Sequence, residues 1–201
     1  NVTFASAATM PTVFVTVDAA LHRAACITKA DKVLVHAATG GVGLAAVQTI
    51  KAAGAEVVAT AGNPTKRHLL RTLGVRHIGS SRDLSFVETV SVTVGSVDVV
   101  LNTLTSAGFV AATLSLAGRG ARMVEISKRD IWPVQRVLQE RPDMLYSLVA
   151  VDFMSEDALN QSLLRVADGI STNRLMPLPL ACHRLSHVGA ALRQMSQARH
   201  I

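Results

Sequence analysis

The chain has 201 residues, of which 49% are hydrophobic and only 3% aromatic, and it carries a formal net charge of +6 with a pI near 10.0. This length allows one or two domains, and a core of Ala, Val and Leu fits a parallel sheet that helices cover on both faces. Lys and Arg form no run and almost no aromatic residues lie between them, which argues against a nucleic-acid partner. A local basic patch for an anionic ligand or an acidic partner domain stays open.

The same totals carry expectations about location. No apolar run reaches about 18 residues and the first residues lack the basic start of a signal peptide, so we expect no membrane span and no membrane partner. Cys26 and Cys182 lie far apart in the sequence, which favours reduced thiols and a cytoplasmic protein. No Cys/His spacing is typical of a zinc site, and we assign no metal ligand.

The predicted elements alternate between helix and strand along the chain. Predicted strands cover residues 33–35, 55–60, 75–78, 97–101, 122–126 and 145–151. Predicted helices cover residues 11–24, a run from 44 onward, 64–73, a run from 81 onward, 107–116, 133–140, 155–168 and 186–198. Asp83 is expected to cap its helix, and Gly74, Gly118 and Gly169 are expected to end theirs.

This alternation predicts one α/β domain over residues 1–201, since the chain shows no internal repeat or composition break. We expect a doubly wound parallel sheet (a Rossmann fold) of about six strands with helices on both faces. The chain opens on a predicted helix, and no predicted strand follows its last predicted helix. We therefore expect it to be a piece of a longer polypeptide.

The turn between the first strand and its helix is typical of a dinucleotide-binding βαβ unit. It reads AATGGVG over residues 37–43 and departs from GxGxxG, since Ala37 or Ala38 holds the first glycine position. We expect Gly43 to let the helix pack closely on the strand. Phosphates would then bind the free N–H groups at the helix start. An ordinary βα turn is the alternative.

The end of the second strand indicates which dinucleotide would bind. In NAD-binding units an acidic residue follows this strand, whereas here the sequence Thr60-Ala-Gly-Asn63 has no carboxylate. Lys66 and Arg67 come next, at the head of the following helix. A missing carboxylate and a basic pair favour the 2′-phosphate of NADP(H), although two solvated surface cations would give the same sequence pattern.

Several strings together resemble one family. They are AATGGVG, TAGNPTKRHLLRTLG, HIGSSRDLSF, VDVVLNTL, GARMVEISKRDI and the closing MSQARHI. The chain resembles the enoyl reductase domains of modular polyketide synthases and is similar to those of animal-type fatty acid synthases. Both belong to the medium-chain dehydrogenase/reductase superfamily, in its zinc-independent quinone-oxidoreductase branch. The resemblance covers nearly the whole chain.

The resemblance implies an NADPH-binding domain inserted into a GroES-like substrate barrel, which would lie before Asn1 and after Ile201. It implies hydride transfer to the β-carbon of an enoyl thioester on an acyl carrier protein, followed by protonation at the α-carbon. Other megasynthase domains would be partners, and a homodimer is possible. The alternatives are a free-standing quinone or enone reductase and a degenerate scaffold domain that no longer reduces a substrate.

The resemblance also assigns residues. It implies Lys128 and Asp152 as the proton-delivery pair, although a solvated loop lysine and a helix-introducing aspartate are the alternatives. It implies pyrophosphate contacts from Thr39, Gly40, Gly41, Val42 and Gly43, and contacts to the adenosine ribose and its phosphate from Ala61, Gly62, Lys66 and Arg67. Further implied contacts are Ser81 and Arg82 near the adenine, for which a helix cap is the alternative. Asn102 and Leu104 would lie along the cofactor, and Ile126 and Ser127 beside the nicotinamide.

The chain departs from the family pattern at a few positions. Thr103 and Ser127 stand where serine and glycine are commoner, and Asp18 stands in a segment that is often aromatic. The departure at Asp18 indicates that part of the substrate wall differs here. We expect structural roles for His36 and Tyr146.

Overall fold

The computed structural model describes residues 2–197. The end of the predicted last helix at Ala198 and the final letters of the MSQARHI string lie outside the described residues. Six parallel strands form one sheet in the order β3-β2-β1-β4-β5-β6. These strands are β1 Lys32–Val35, β2 Glu56–Ala61, β3 His77–Ser80, β4 Val97–Asn102, β5 Ala117–Glu125 and β6 Leu145–Leu148.

Helices precede, connect and follow the strands. They are α1 Phe4–Ala7, α2 Pro11–Val17, α3 Gly41–Ala52, α4 Pro64–Thr72, α5 Phe86–Thr93, α6 Phe109–Leu116, α7 Val134–Glu140, α8 Glu156–Ser171 and α9 Val188–Ser196. A π-helix, Asp18–Ala24, continues α2, and short 3-10 helices cover Val151–Phe153 and Leu185–His187. The strand order places a topological switch between β1 and β4, where the chain first crosses to the other half of the sheet.

The sheet separates two apolar layers, as expected for a parallel sheet covered on both faces. In β1, Val33 and Val35 pack into the layer beneath α2 and α3, whereas Leu34 packs into the layer with Phe86. All of these residues are fully buried. The predicted doubly wound parallel fold is therefore confirmed.

Three predicted helix boundaries differ from those in the structure, each because of a local interaction. Asp83 does not cap a helix, because its carboxylate accepts the N–H of Ser85 at 2.9 Å and α5 starts at Phe86. Gly118 lies inside β5, since α6 runs directly into that strand. Gly169 lies inside α8, where Leu175 packs over it.

One helical segment is long and apolar enough to span a membrane, judged by length and composition only, so the expectation that there is no such segment is wrong. The helical segment Phe4–Ala24 has 21 residues and reaches a mean hydropathy of 1.4. In the folded chain 44% of its apolar window is buried, and Phe14, Val17 and Leu21 belong to the core. Because the buried core helices of soluble proteins can have the same length and hydropathy, this segment is weak evidence for a membrane span.

The βα junction depends on a missing side chain. A Cβ at Gly43 would lie 2.5 Å from the Cα of Ala38 and 2.7 Å from the carbonyl oxygen of Ala37. We predict that Gly43→Ala lowers the free energy of unfolding by about 2 kcal/mol or more, because backbone must move, even though alanine favours helix by about 1 kcal/mol. Urea unfolding followed by circular dichroism measures this change.

Gly40→Ala is the matched control. Its added Cβ would meet the carbonyl oxygen of Ala37 at 3.5 Å, an ordinary contact, so the loss is expected to stay below about 1 kcal/mol. Equal losses in the two variants would contradict the close backbone approach at Gly43.

Candidate active site

The turn after β1 is held against the end of β2. Ala37 has a positive φ of 49°, and its N–H donates to the Thr60 hydroxyl at 3.1 Å. The next N–H, from Ala38, donates to the Thr60 carbonyl at 2.9 Å. Gly40 is the N-cap of α3 and provides no side-chain cap, so the first N–H groups of the helix face outward without an intrahelical partner. This is a cradle for an anionic group at the positive end of a helix.

His36, directly after β1, has a structural role. It is fully buried, and its ring nitrogens lie 3.2 Å from the Thr60 hydroxyl and 2.8 Å from the Thr113 hydroxyl. Burial lowers the pKa of His36 to about 3, so the ring is neutral at pH 7. The hydroxyl of Thr103 donates to the His36 carbonyl at 3.2 Å. The threonine at position 103 is therefore built into the end of the sheet.

Cationic side chains meet at the carboxyl end of β2. Arg67 donates to the Ala61 carbonyl at 3.3 Å. Arg82 lies against Gly62, where a Cβ would come within 2.7 Å of its Nε. Lys66 starts the same helix as Arg67, and its N–H donates to the Asn63 side chain at 2.8 Å. The residues predicted from the sequence for the adenosine end thus come together.

Asp83 adds a carboxylate beside this cationic cluster. Hydrogen bonds from Ser85 lower the pKa of Asp83, with smaller contributions from Ser80 and from the charge of Arg67. Asp83 is therefore ionised at neutral pH and offsets part of the local positive charge. Ser81 continues the sheet instead of capping a helix, since its N–H donates to the Ala61 carbonyl at 3.2 Å.

A buried polar network joins the ends of β4 and β5. Asn102 donates to one oxygen of Glu125, and the N–H of Ser127 donates to the other at 2.8 Å. The N–H of Leu104 donates to the Asn102 side chain at 3.3 Å. Asn102 and Glu125 are 0% and 1% exposed, so the network fixes the two loops from inside the protein.

Two clefts open above this network at the carboxyl edge of the sheet. A cleft of about 420 Å³ lies at the switch between β1 and β4; its lining residues are Val42, Thr103, Thr105, Ile126, Ser127, Lys128 and Arg129. A second cleft of about 910 Å³ lies toward β6 and contains Lys128, Asp152 and Glu125. Ser127 and Lys128 line both clefts, so they mark the point where the two meet.

Lys128 and Asp152 form an ion pair across the second cleft. Lys128 follows β5 and Asp152 lies in the 3-10 helix after β6, so the ends of adjacent parallel strands bring them together. Their side chains are 70% and 64% exposed, which leaves both accessible to a bound molecule. The pair predicted from the sequence is thus a contact in the folded chain.

Three residues predicted to contact the cofactor have buried side chains. Thr39, Ala61 and Asn102 are 3%, 0% and 0% exposed. Their contacts with a cofactor stay predictions.

An ion pair that was not predicted from the sequence joins the π-helix to α8. Asp18, at the start of the π-helix, accepts two hydrogen bonds from Arg165 at 2.8 and 2.7 Å. Burial raises the pKa of Asp18, but hydrogen bonds from Arg165 and Ser162 outweigh it and leave the pKa below its ordinary value. Ala19 and Arg23, on the same π-helix, line the larger cleft. Asp18 itself lines a separate cavity of about 280 Å³ together with Arg165, and the signal for it in the sequence was one acidic residue in a largely apolar segment.

The described residues 2–197 contain no group of three or more His, Cys, Asp or Glu side chains that could hold a metal ion. No residue in this part of the chain is therefore assigned to a metal.

The chain is similar to one known protein family, to polyketide synthases and to solved reductase structures. Residues 41–164 match the family described as zinc-binding dehydrogenase. The chain is 38% identical, over 100% of its length, to a mycocerosic acid synthase-like polyketide synthase of Mycobacterium tuberculosis, of which it spans 10%. The crystal structure of CurK enoyl reductase superposes with a TM-score of 0.93 at 37% identity, covering 99% of this chain and 61% of that one.

A further solved structure is that of the quinone oxidoreductase from Thermus thermophilus, which was also determined in complex with NADPH. It is 27% identical to this chain with a TM-score of 0.83, covering 98% of this chain and 64% of that one. The chain therefore spans less than two thirds of the length of these relatives.

The buried histidine predicts a pH dependence of stability. The unfolded chain takes up a proton at position 36 near pH 6.5, whereas the folded chain does so only near pH 3. The contribution of His36 to the free energy of unfolding is therefore fully present above pH 6.5 and is lost as the pH falls from 6.5 toward 3. At pH 5 this loss is about 2 kcal/mol. Urea unfolding at pH 7 and pH 5 measures this loss.

His36→Gln removes the titrating ring and should make this loss smaller by about 2 kcal/mol. His68→Gln, at an exposed position, is the matched control and should leave it unchanged. An undiminished loss in His36→Gln would show that other groups cause it. The carboxyls with lowered pKa values, such as Asp18 and Asp83, start from an ordinary pKa of 3.8 and do not contribute between pH 7 and pH 5.

Proposed function

We propose a reductase function from one premise: the chain belongs to the zinc-binding dehydrogenase family, among the enoyl reductase domains of polyketide synthases. In this proposal the chain is the NADPH-binding half of an enzyme that reduces the α,β-double bond of an enoyl thioester on an acyl carrier protein. The observation that carries it is the position of Lys128, which borders the cleft at the strand switch and also pairs with Asp152 in the neighbouring cleft.

The residues of the smaller cleft and of the glycine turn suit a dinucleotide. The N–H groups at the start of α3 would bind the pyrophosphate, because Gly40 caps this helix without a side chain. Lys66, Arg67 and Arg82 would bind the 2′-phosphate and the adenosine end. Ile126 and Ser127 would border the nicotinamide. The bound cofactor supplies the hydride that reaches the β-carbon of the substrate.

The ion pair would act on the substrate side. Negative charge develops on the thioester oxygen as the β-carbon is reduced, and a nearby ammonium stabilises that charge. Lys128 would do this, and Asp152 would orient its ammonium. A proton held by this pair would then reach the α-carbon. An exposed pair suits this role, because it becomes desolvated only when a substrate enters the cleft.

The substrate-binding barrel and the carrier protein are parts of this proposal that the chain does not contain. Because the chain spans 61% of CurK enoyl reductase and 10% of the mycobacterial synthase, the substrate class and the neighbouring domains are inferred from those relatives. A cytoplasmic location and a homodimer stay predictions.

The similarity to the Thermus enzyme supports a second candidate, a quinone or enone reductase that uses the same cofactor residues. A degenerate scaffold is less well supported. The departure at Thr103 is accommodated by its hydrogen bond to the His36 carbonyl, and Lys128 still meets Asp152. Both enzyme candidates require the basic pair after β2 to select the phosphorylated dinucleotide.

We predict that the chain binds NADPH more tightly than NADH by about 1–3 kcal/mol, which is about 5- to 150-fold in Kd. Charge-assisted contacts from Lys66 and Arg67 to the 2′-phosphate are the reason. Isothermal titration calorimetry on the chain measures both affinities. Lys66→Ala and Arg67→Ala should each weaken NADPH binding and leave NADH binding nearly unchanged.

Arg71→Ala is the matched control, since Arg71 is a cation in the last turn of the same helix. It should leave the preference intact. Equal affinity of the wild-type chain for the two cofactors would remove the basis for NADPH selection.

We predict that Lys128→Ala, made in an enzyme that includes the substrate-binding part, slows the chemical step by about 10²–10⁴-fold. The Kd for NADPH should change little, because the lysine acts on the substrate. Single-turnover oxidation of bound NADPH by an enoyl thioester measures the step. Lys29→Ala, which removes an exposed lysine from the loop before β1 at the opposite edge of the sheet, is the control. An unchanged rate in Lys128→Ala would remove this residue from the mechanism.

A further inference from the structure

Glu125 is a buried carboxylate at the end of β5, and the mechanism above does not use it. It is 1% exposed and contributes to the wall of the cleft that contains Lys128 and Asp152. Among the ion pairs formed by residues 2–197, none includes Glu125. A buried acidic side chain without a cationic partner is costly, because burial disfavours its charged form. Its position directly before Ile126 and Ser127 suggests a function.

The hydrogen bonds of Glu125 identify its charge state. Both carboxyl oxygens accept, one from the Ser127 N–H at 2.8 Å and the other from the Asn102 side chain. A protonated carboxyl would need an acceptor for its own O–H, whereas an ionised carboxylate only accepts. The surrounding donors thus fit the ionised form, and they hold it in place.

The charge of Glu125 reaches its neighbours. Burial raises the pKa of Tyr146 to about 12, and the negative charge of Glu125 adds to the increase. Tyr146 lies on β6 and Glu125 on the adjacent strand β5. Since water is largely excluded here, a fixed charge acts over a longer range than it would at the surface.

Hydride transfer changes the charge beside this carboxylate. A bound dinucleotide would supply the hydride, with both electrons of its C–H bond, to the β-carbon, and its ring would then carry one more positive charge. The thioester oxygen gains one negative charge, which is removed when a proton bonds to the α-carbon. A fixed negative charge behind the ring would therefore favour the oxidised ring, while Lys128 on the exposed side of the same loop favours the negative oxygen.

We propose that Glu125 is a positioning residue of the reductase site: its carboxylate fixes the Ser127–Lys128 loop and stabilises the positive charge of the oxidised nicotinamide. This inference rests on the proposed function, because that function places the ring beside Ile126 and Ser127. It adds a buried charge that promotes release of the hydride.

The test compares the binding of NADP⁺ and NADPH to the chain by calorimetry. Glu125→Gln keeps the size of the side chain and removes the charge. We expect the ratio of Kd for NADP⁺ to Kd for NADPH to rise about fifteen- to thirtyfold, as for two unit charges about 8–10 Å apart in a medium of effective dielectric about 20. A purely structural role would weaken both forms equally. Glu88→Gln, at an exposed position in α5, is the matched control and should leave the ratio unchanged.

A double variant separates charge from geometry. Glu125→Gln with Asn102→Asp returns a carboxylate to the same buried pair and restores a matched donor and acceptor, so the ratio should return toward that of the wild-type chain. An elevated ratio in the double variant would overturn the proposal, as would an unchanged ratio in Glu125→Gln.

A measurement on the wild-type chain covers the case in which Glu125→Gln fails to fold. The carboxyl ¹³C signal of Glu125 at pH 7 should be that of an ionised carboxylate, with either form of the cofactor bound. A protonated signal would overturn the proposal. If the wild-type chain bound neither cofactor, the proposed function itself would fail; if it bound both while the ratio ignored Glu125→Gln, only the present inference would fail.

Discussion

The close approach of two backbone segments at Gly43 is the constraint on which the candidate site depends. Because no side chain separates α3 from the turn after β1, the helix starts directly at the carboxyl edge of the sheet. Its unpaired N–H groups therefore face the switch between β1 and β4. The turn is held in place by Thr60, whose hydroxyl and carbonyl accept its N–H groups, and His36 shares that hydroxyl. Backbone packing and a neutral buried histidine thus fix the edge of the sheet at which the proposed pyrophosphate site lies.

Charged groups follow one another along this edge of the sheet, from the end of β2 to the end of β5. Cations gather at the end of β2, where Arg67 and Arg82 lie against the strand. The helix start provides partial positive charge in the middle. At the other end lie the buried carboxylate of Glu125 and the exposed ammonium of Lys128. In the proposed function this order would match NADPH, which has a 2′-phosphate at one end, a pyrophosphate in the middle and, at the other end, a ring whose charge changes during hydride transfer.

The sequence allowed most of the fold to be predicted, because apolar strands and helix signals are local. The alternation of elements, the glycine turn and the positions of Lys128 and Asp152 all follow from short segments and from the family resemblance. Contacts between distant segments could not be predicted. Arg165 is far from Asp18 in the sequence, and the apolar surroundings of Asp18 gave no sign of a partner. The burial of Asn102 and the network around Glu125 likewise depend on how adjacent strands end.

A crystal structure of the chain with NADPH tests the central claim most directly. The account predicts electron density for the pyrophosphate within hydrogen-bonding distance of the N–H groups of Gly41 to Gly43, with the 2′-phosphate beside Lys66 and Arg67 and the nicotinamide beside Ser127. Density for the cofactor elsewhere on the protein, or a pyrophosphate held away from the start of α3, would contradict it.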